Sequence, residues 1–300
     1  MAIFGKKMLE RADGKIAFQG ELGAYSHQAC AEAFPRMEPL PRRTFEGAIE
    51  AVREGVADLA MLPVENSTYG RVADIHHLLP ESGLYIVAEH FVPVEIALLG
   101  VPGATLQAVT EAQSHPVLLG QCRKFLKSHD IHPVAGIDTA GSAAAVAEEA
   151  NPARAALASP LAGSTYGLET LAKNVEDNRH NTTRFLVMSR RRLEAEQTGD
   201  VITTFVFRVR NLPAALYKAM GGFATNGVNM VKLESYMIDG SFTATQFYAD
   251  IEGHPEAPPV ARALEELDYF TSMLKVLGVY PASPFRKTRA PVPDQPVAAR

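Results

Sequence analysis

The chain has no tryptophan and only two cysteines, Cys30 and Cys122, in 300 residues. Two thiols cannot make the disulfide framework that staples a small secreted domain, so the fold must rest on an apolar core, and a reducing, cytoplasmic setting is expected. No apolar run approaches the roughly 18 residues of a membrane span. The start, MAIFGKKMLERADGK, lacks the apolar core of a secretory signal, so no membrane partner is expected. Positive charge is not in excess either. The net charge is -5, and the basic clusters (Lys6-Lys7, Arg42-Arg43, Arg190-Arg191-Arg192) are short enough to read as solvated surface. That argues against a nucleic-acid partner. Metal-ligand groupings are also missing. His129 and His132 stand beside Pro133, and the adjacent His76 and His77 point different ways on a helix, so no metal is expected.

What is present is an ordinary globular balance, 47% hydrophobic and 21% charged, long enough for two domains. After a loose leader over 1–14, short apolar runs alternate with amphipathic stretches. Strands are predicted over 15–19, 57–64, 84–91, 96–99, 134–137 and 155–158. Helices are predicted over 24–34, 45–54, 72–79, 120–128, 139–149 and 161–166, the last stopped by Gly167. The alternation predicts an α/β fold with mainly parallel strands. Residues 190–199 are charged and read as a linker. The character then changes: strand 201–210, helix 213–225, strands 229–238 and 242–251 meeting at a predicted Asp239-Gly240 hairpin turn, helix 260–273 and strand 275–280. This βαββαβ order is the ferredoxin-like pattern. The proline-rich tail 281–300 has no periodicity and reads as disordered.

Polar clusters stand where strands should end, the edge at which open α/β sheets bind ligands. Gln19–Ser26 is a glycine turn into a helix, where backbone N–H groups and the Ser26 hydroxyl favour an anion or merely cap the helix. Glu65-Asn66-Ser67 closes a buried strand, with Glu65 a possible general acid or an ion-pair partner. Ser114-His115-Pro116 precedes Gln121-Cys122; His115 could shuttle a proton, and Cys122 reads better as a small buried apolar residue than as a nucleophile. Thr139 and Ser142 offer hydroxyls at a helix start. Asn181-Thr182-Thr183-Arg184-Phe185 shows neither helical nor strand period. It sets a hydroxyl donor beside a cation suited to a carboxylate and a ring that could pack on a ligand or belong to the core.

In this order the clusters resemble prephenate dehydratase, over residues 15–280. The matches are the glycine turn with Tyr25-Ser26, Glu65-Asn66-Ser67 with Gly70 and Val72, Ser114-His115-Pro116, Gln121-Cys122, Thr139 to Ser142, Tyr166-Gly167-Leu168, and Thr183-Arg184-Phe185. The resemblance implies a type II periplasmic-binding-protein-like catalytic domain over 15–190, with lobe 1 at 15–95 and 175–190 and lobe 2 at 96–174. A C-terminal ACT domain is implied over 200–281, with flexible ends at 1–14 and 282–300. It further implies a carbon–oxygen lyase that turns prephenate into phenylpyruvate, water and carbon dioxide in phenylalanine biosynthesis, with no cofactor.

In that reading Thr183 polarises the leaving hydroxyl, with Glu65 and His115 as second choices for the acid. Ser26, Asn66, Ser67, Ser114, Gln121, Thr139, Ser142, Arg184 and Phe185 contact substrate, the substrate carboxylates being met by Arg184 and by helix N-termini. The ACT domain implies a homo-oligomer and a phenylalanine effector, held through Ala214, Ala215, Leu216, Asn229, Glu234 and Ser235. Here the chain departs from the family. Ala214 stands in place of a glycine, and Glu234-Ser235-Tyr236-Met237 lacks the family's Arg and Pro. Two alternatives remain open: an arogenate dehydratase, and a non-catalytic ligand sensor. No segment like chorismate mutase is read ahead of Lys15, so a monofunctional chain is expected.

Overall fold

The computed structural model describes residues 13–288, apart from 179, 194, 198, 211 and 238–243. The chain begins with β1 (Lys15–Gln19), α1 (Tyr25–Ala33), β2 (Glu38–Arg42), α2 (Phe45–Arg53), β3 (Leu59–Asn66), β4 (Gly70–Arg71), α3 (Ala73–Leu78) and β5 (Tyr85–Pro93). It continues through β6 (Ala97–Gly100), β7 (Glu111–Ser114), α4 (Pro116–Gln121), α5 (Arg123–Ser128), β8 (His132–Ala135), α6 (Thr139–Glu149), β9 (Arg154–Ala158), α7 (Pro160–Tyr166) and β10 (Glu169–Ala172). Strand β11 (Thr182–Ser189) brings it back.

These elements make two lobes with one strand order. In lobe 1 the order is β2-β1-β3-β11-β5, and in lobe 2 it is β8-β7-β9-β6-β10. In each sheet the antiparallel member is the strand that has just arrived from the other lobe, β11 in the first and β6 in the second. Apart from the two-residue β4, antiparallel to β3, the rest are parallel, as the alternation predicts, and two crossings join the lobes in the manner of a periplasmic binding protein. Local sequence explains most elements. Thr44 caps α2 by accepting from Gly47 N–H at 3.0 Å, and the helix then buries Ala48, Ile49, Ala51 and Val52.

Several elements escaped the sequence reading. Strand β2 carries Pro39 and Pro41, which argue against a strand. It is the sheet edge, paired only with β1, where a missing N–H is tolerated. The helix expected over 120–128 is two helices, α4 started by Pro116 and α5 started after Cys122, whose φ of -117° interrupts the helical run. Of the segment 181–185, read as having no strand period, residues 182–185 are the start of β11.

The C-terminal unit is β12 (Val201–Val209), α8 (Ala215–Thr225), β13 (Met230–Met237), β14 (Ala244–Glu252), α9 (Pro258–Phe270) and β15 (Thr271–Pro281). Its sheet order, β13-β14-β12-β15, is the ferredoxin-like topology. Alternate side chains serve two cores. Phe205, Phe207, Phe247 and Ile251 pack under α8 and α9. Ile202, Val206, Tyr236, Tyr248 and Tyr280 share a core with Ile75, Leu79 and Ile86 of lobe 1. Strand β15 also runs beside β5, pairing at Gly278 and Ile86, so one ten-stranded sheet spans lobe 1 and the C-terminal unit. A Cβ at 278 would lie 2.2 Å from the Ile86 carbonyl oxygen, so this approach needs glycine.

The tail does not begin at 282 as expected. Residues 282–288 end in α10 (Phe285–Thr288), and Phe285 stacks on Phe91 with centroids 4.8 Å apart. Residues 1–12, 289–300 and the Asp239-Gly240 turn lie outside the described residues. No helix among the described residues is long and apolar enough to cross a membrane.

Candidate active site

The carboxyl ends of the parallel strands of both lobes face one cleft, and the lobes touch along its walls. Ser159 Oγ donates to Gly23 O at 2.6 Å, Tyr166 hydroxyl to Leu22 O at 2.8 Å, and Tyr25 hydroxyl to Glu95 O at 2.9 Å. Gly23 sits at φ +89°, and a Cβ there would lie 2.8 Å from Ala162 Cα. The glycine turn thus lets lobe 2 close onto the start of α1.

Inside this junction lies a chain of amides ending on Thr183. Asn66 Nδ2 donates to Thr183 Oγ1 at 3.0 Å and to Asn181 Oδ1 at 2.6 Å. Asn66 Oδ1 accepts from the backbone N–H groups of Thr68 and Tyr69 at 2.9 and 3.0 Å, which fixes the orientation of the amide. Asn181 Nδ2 in turn donates to Gln121 Oε1 of lobe 2 at 3.3 Å. Residues from β3, β11 and the end of α4, far apart in sequence, thereby meet. Thr183 Oγ1 accepts from Asn66, so its own proton is free to point elsewhere.

Successive strand residues face opposite ways, and Arg184 does not share this site. Its guanidinium is 2% exposed and turned toward the C-terminal unit. Nε donates to Glu89 at 2.8 Å, one terminal nitrogen to Glu65 at 2.8 Å and Asp250 at 2.6 Å, and the other to the Tyr280 hydroxyl at 2.9 Å. A guanidinium so committed has no fork left for a substrate carboxylate, which corrects the expectation for Arg184. Glu65 is corrected with it. Burial would raise its pKa, but Arg184 and Lys232, whose ammonium lies 2.6 Å away, outweigh that and hold it at about 2. It has no proton to give at neutral pH. Phe185 is core, packed with Phe18, Cys30 and Val187, and makes no cleft surface.

The other expected residues divide similarly. Ser114 Oγ is spent on Leu157 O at 2.6 Å, and Ser142 Oγ on Asp138 O at 2.6 Å. Ser67 Oγ donates to His180 O and accepts from Thr182 N–H, both at 2.9 Å, tying the loop after β3 to β11. All three act as backbone clamps. His115 caps α4, its Nδ1 accepting from Val117 N–H at 3.2 Å, which leaves Nε2–H as the outward donor. Thr139 opens α6, whose cap is Asp138. Burial, with Glu176 and Asp177 nearby, pushes the Cys122 thiol up to about 12, against a nucleophile. Ser26 lies in the first turn of α1, whose cap residue is Ala24 and supplies no side-chain oxygen.

In the C-terminal unit, Ala214 holds φ +60° at the start of α8, with Ala215 and Leu216 in its first turn. Glu234 sits on the other face of the sheet, 3.2 Å from Lys232 and turned to lobe 1. Ser235 accepts at its carbonyl from Arg71 at 2.7 Å, and Asn229 donates to Glu252 at 3.0 Å. Sequence reasoning missed Asn181 as a positioned amide, and Glu89, Lys232, Asp250 and Tyr280 altogether. The only local signal for the last group is a set of charged or hydroxylated residues inside otherwise apolar strands.

A model of the family described as prephenate dehydratase matches residues 16–193. A bifunctional N-acyl-homoserine lactone acylase/prephenate dehydratase from Komagataeibacter europaeus is 55% identical over 273 residues, 91% of this chain and 97% of that one. An arogenate dehydratase/prephenate dehydratase from Arabidopsis thaliana is 36% identical over 281 residues, 89% of this chain and 72% of that one. The crystal structure of prephenate dehydratase from Arthrobacter aurescens in complex with L-Phe superposes with a TM-score of 0.81 at 32% identity, covering 89% of this chain and 90% of that one. Sequence, fold and cleft therefore agree, and the chain belongs to the prephenate dehydratase family of decarboxylating dehydratases.

Proposed function

We propose that the chain converts prephenate to phenylpyruvate, water and carbon dioxide, supplying phenylalanine synthesis in the cytoplasm as a homo-oligomer. The observation that carries this reading is the Asn66 amide donating into Thr183 Oγ1 in the interlobe cleft. The ring hydroxyl of prephenate is a poor leaving group. As the bond from ring carbon to carboxylate breaks, its electrons enter the ring and the C–OH bond at the opposite carbon gives up its pair. Thr183 O–H, aimed by Asn66, donates a hydrogen bond to the departing oxygen and polarises it; solvent supplies the final proton. Removing one such donor costs about 10²–10³ in rate. With Glu65 ionised, His115 Nε2–H is left as a second hydrogen-bond donor toward the departing oxygen.

The carboxylates need another home, since Arg184 is engaged. Of the helices that begin at the cleft, α4, α6 and α7 are capped by His115, Asp138 and Ser159. Helix α1 has no side-chain cap, so its first-turn N–H groups and the Ser26 hydroxyl suit an anion. The C-terminal unit is read as an ACT domain taking L-phenylalanine, supported by its ferredoxin-like topology and by the relative crystallised with that ligand.

The test is to incubate the purified protein separately with prephenate and arogenate and to follow phenylpyruvate and phenylalanine. Prephenate turnover, slowed by added phenylalanine, is expected. Turnover of arogenate alone would move the assignment to arogenate dehydratase, and binding without turnover would favour a sensor. An N-acyl-homoserine lactone belongs in the same assay, because the 55% identical relative is named an acylase as well. Release of homoserine lactone would add that activity.

A further inference from the structure

The catalytic strand is pinned from outside the catalytic domain. Asp250 on β14 is fully buried, and its two oxygens are both engaged. Oδ2 accepts from Arg184 at 2.6 Å and Oδ1 from the Thr204 hydroxyl at 2.6 Å. Thr204 and Arg184 both reach the Tyr280 hydroxyl, at 2.7 and 2.9 Å. Arg184 in turn sits where β11 and β3 fall out of register. It pairs with Glu65, the next residue Phe185 pairs with Pro63, and Val64 is the extra residue of a bulge. A bulge re-aims the side chains beside it. Those on the cleft side are Thr183 and Asn66, the immediate neighbours of Arg184 and Glu65.

We propose that Asp250, a residue of the C-terminal unit, is a positioning residue of the dehydratase site: by holding Arg184 it fixes the β3–β11 bulge and so the direction of the Thr183 hydroxyl. The catalytic domain is then incomplete without its C-terminal partner even when no effector is present. The inference rests on the reading of Thr183 as the donor to the leaving group.

The test uses the full-length chain and prephenate. Asp250→Asn keeps the shape and removes the charge. In protein that remains folded by circular dichroism, kcat should fall by about tenfold to 10²-fold, the scale of a small misplacement of a reacting group. KM should stay within about twofold. In a Thr183→Val background the same substitution should change kcat no further, because the group it positions is already gone. Equal loss of kcat in both backgrounds, or a loss that tracks only the folded fraction, would overturn the proposal and leave Asp250 a purely structural residue. Should Asp250→Asn fail to fold, Tyr280→Phe, which removes one hydroxyl from Arg184, replaces it, with a smaller fall in kcat expected and the same two comparisons deciding. If Thr183→Val alone keeps full rate, it is the donor assignment that fails, seen before the double variant is made.

Discussion

Thr183 and Arg184 are neighbours on β11, yet they face different worlds. On the cleft side, Thr183 is half-buried among neutral amides, Asn66, Asn181 and Gln121, which can orient a hydroxyl without charging it. On the other side, Arg184 is enclosed by Glu65, Glu89, Asp250 and Tyr280, with Lys232 bound to the other oxygen of Glu65 and Arg286 to both oxygens of Glu89. One face presents an oriented hydroxyl to the cleft, the side to which the proposed reaction assigns the substrate, and the other joins two domains. Setting a cation beside a hydroxyl in one short segment does not make both of them ligands. The strand's period of two separates them.

The comparison breaks most severely if the charged face is emptied. Arg184→Met would leave Glu89 and Asp250 buried without their common partner, at a cost of about 3–5 kcal/mol, read as a lowered melting temperature. Next is Thr183→Val on the neutral face, where kcat should fall by about 10²–10³ with the melting temperature held. Thr183→Ser should retain most of the rate.

Acid should loosen the junction in two stages. Burial lowers His76, edge-on to Tyr248 between lobe 1 and the C-terminal unit, from 6.5 to about 4. The folded chain therefore refuses a proton that the unfolded one takes, and stability falls as pH drops from 6.5 to 4. This contributes up to about 3 kcal/mol, and His76→Phe should remove that limb of a melting profile against pH. Glu65 acts lower. Although burial opposes it, Arg184 and Lys232 hold Glu65 at about 2 against an ordinary 4.5, so its contribution is present above 4.5 and is lost as pH falls from 4.5 toward 2. The smallest expected effect is at the start of α8. Ala214 at φ +60° carries a strain that glycine lacks, so Ala214→Gly should stabilise by up to about 1 kcal/mol and sharpen any response to phenylalanine.

Much of this architecture was legible. The alternation of 15–19, 45–54 and 139–149 and the βαββαβ order after 200 follow from period and turn chemistry, and the structure keeps them. Strand β2 was hidden by Pro39 and Pro41, tolerable only at an edge that sequence cannot identify. The site was half legible. The Asn66 to Thr183 contact joins two of the strand-end clusters, and Asn181 to Gln121 ties in a third. The fate of Arg184 was not legible, because Asp250 lies 66 residues away and Glu65 119, and a buried carboxylate announces itself only once its strand is placed against a cation. Likewise Ser67, Ser114 and Ser142 read as ligands because sequence cannot show that a backbone carbonyl already takes their hydroxyls.

The most direct test titrates prephenate calorimetrically onto two proteins slowed in turnover, Thr183→Val and Thr183→Val/Arg184→Lys. If Arg184 serves the domain junction, the second substitution leaves affinity in the folded protein within about threefold while the melting temperature drops. Loss of binding by about 10²-fold with an unchanged melting temperature would return Arg184 to the substrate carboxylate and contradict the division of β11 into a chemical and a structural face.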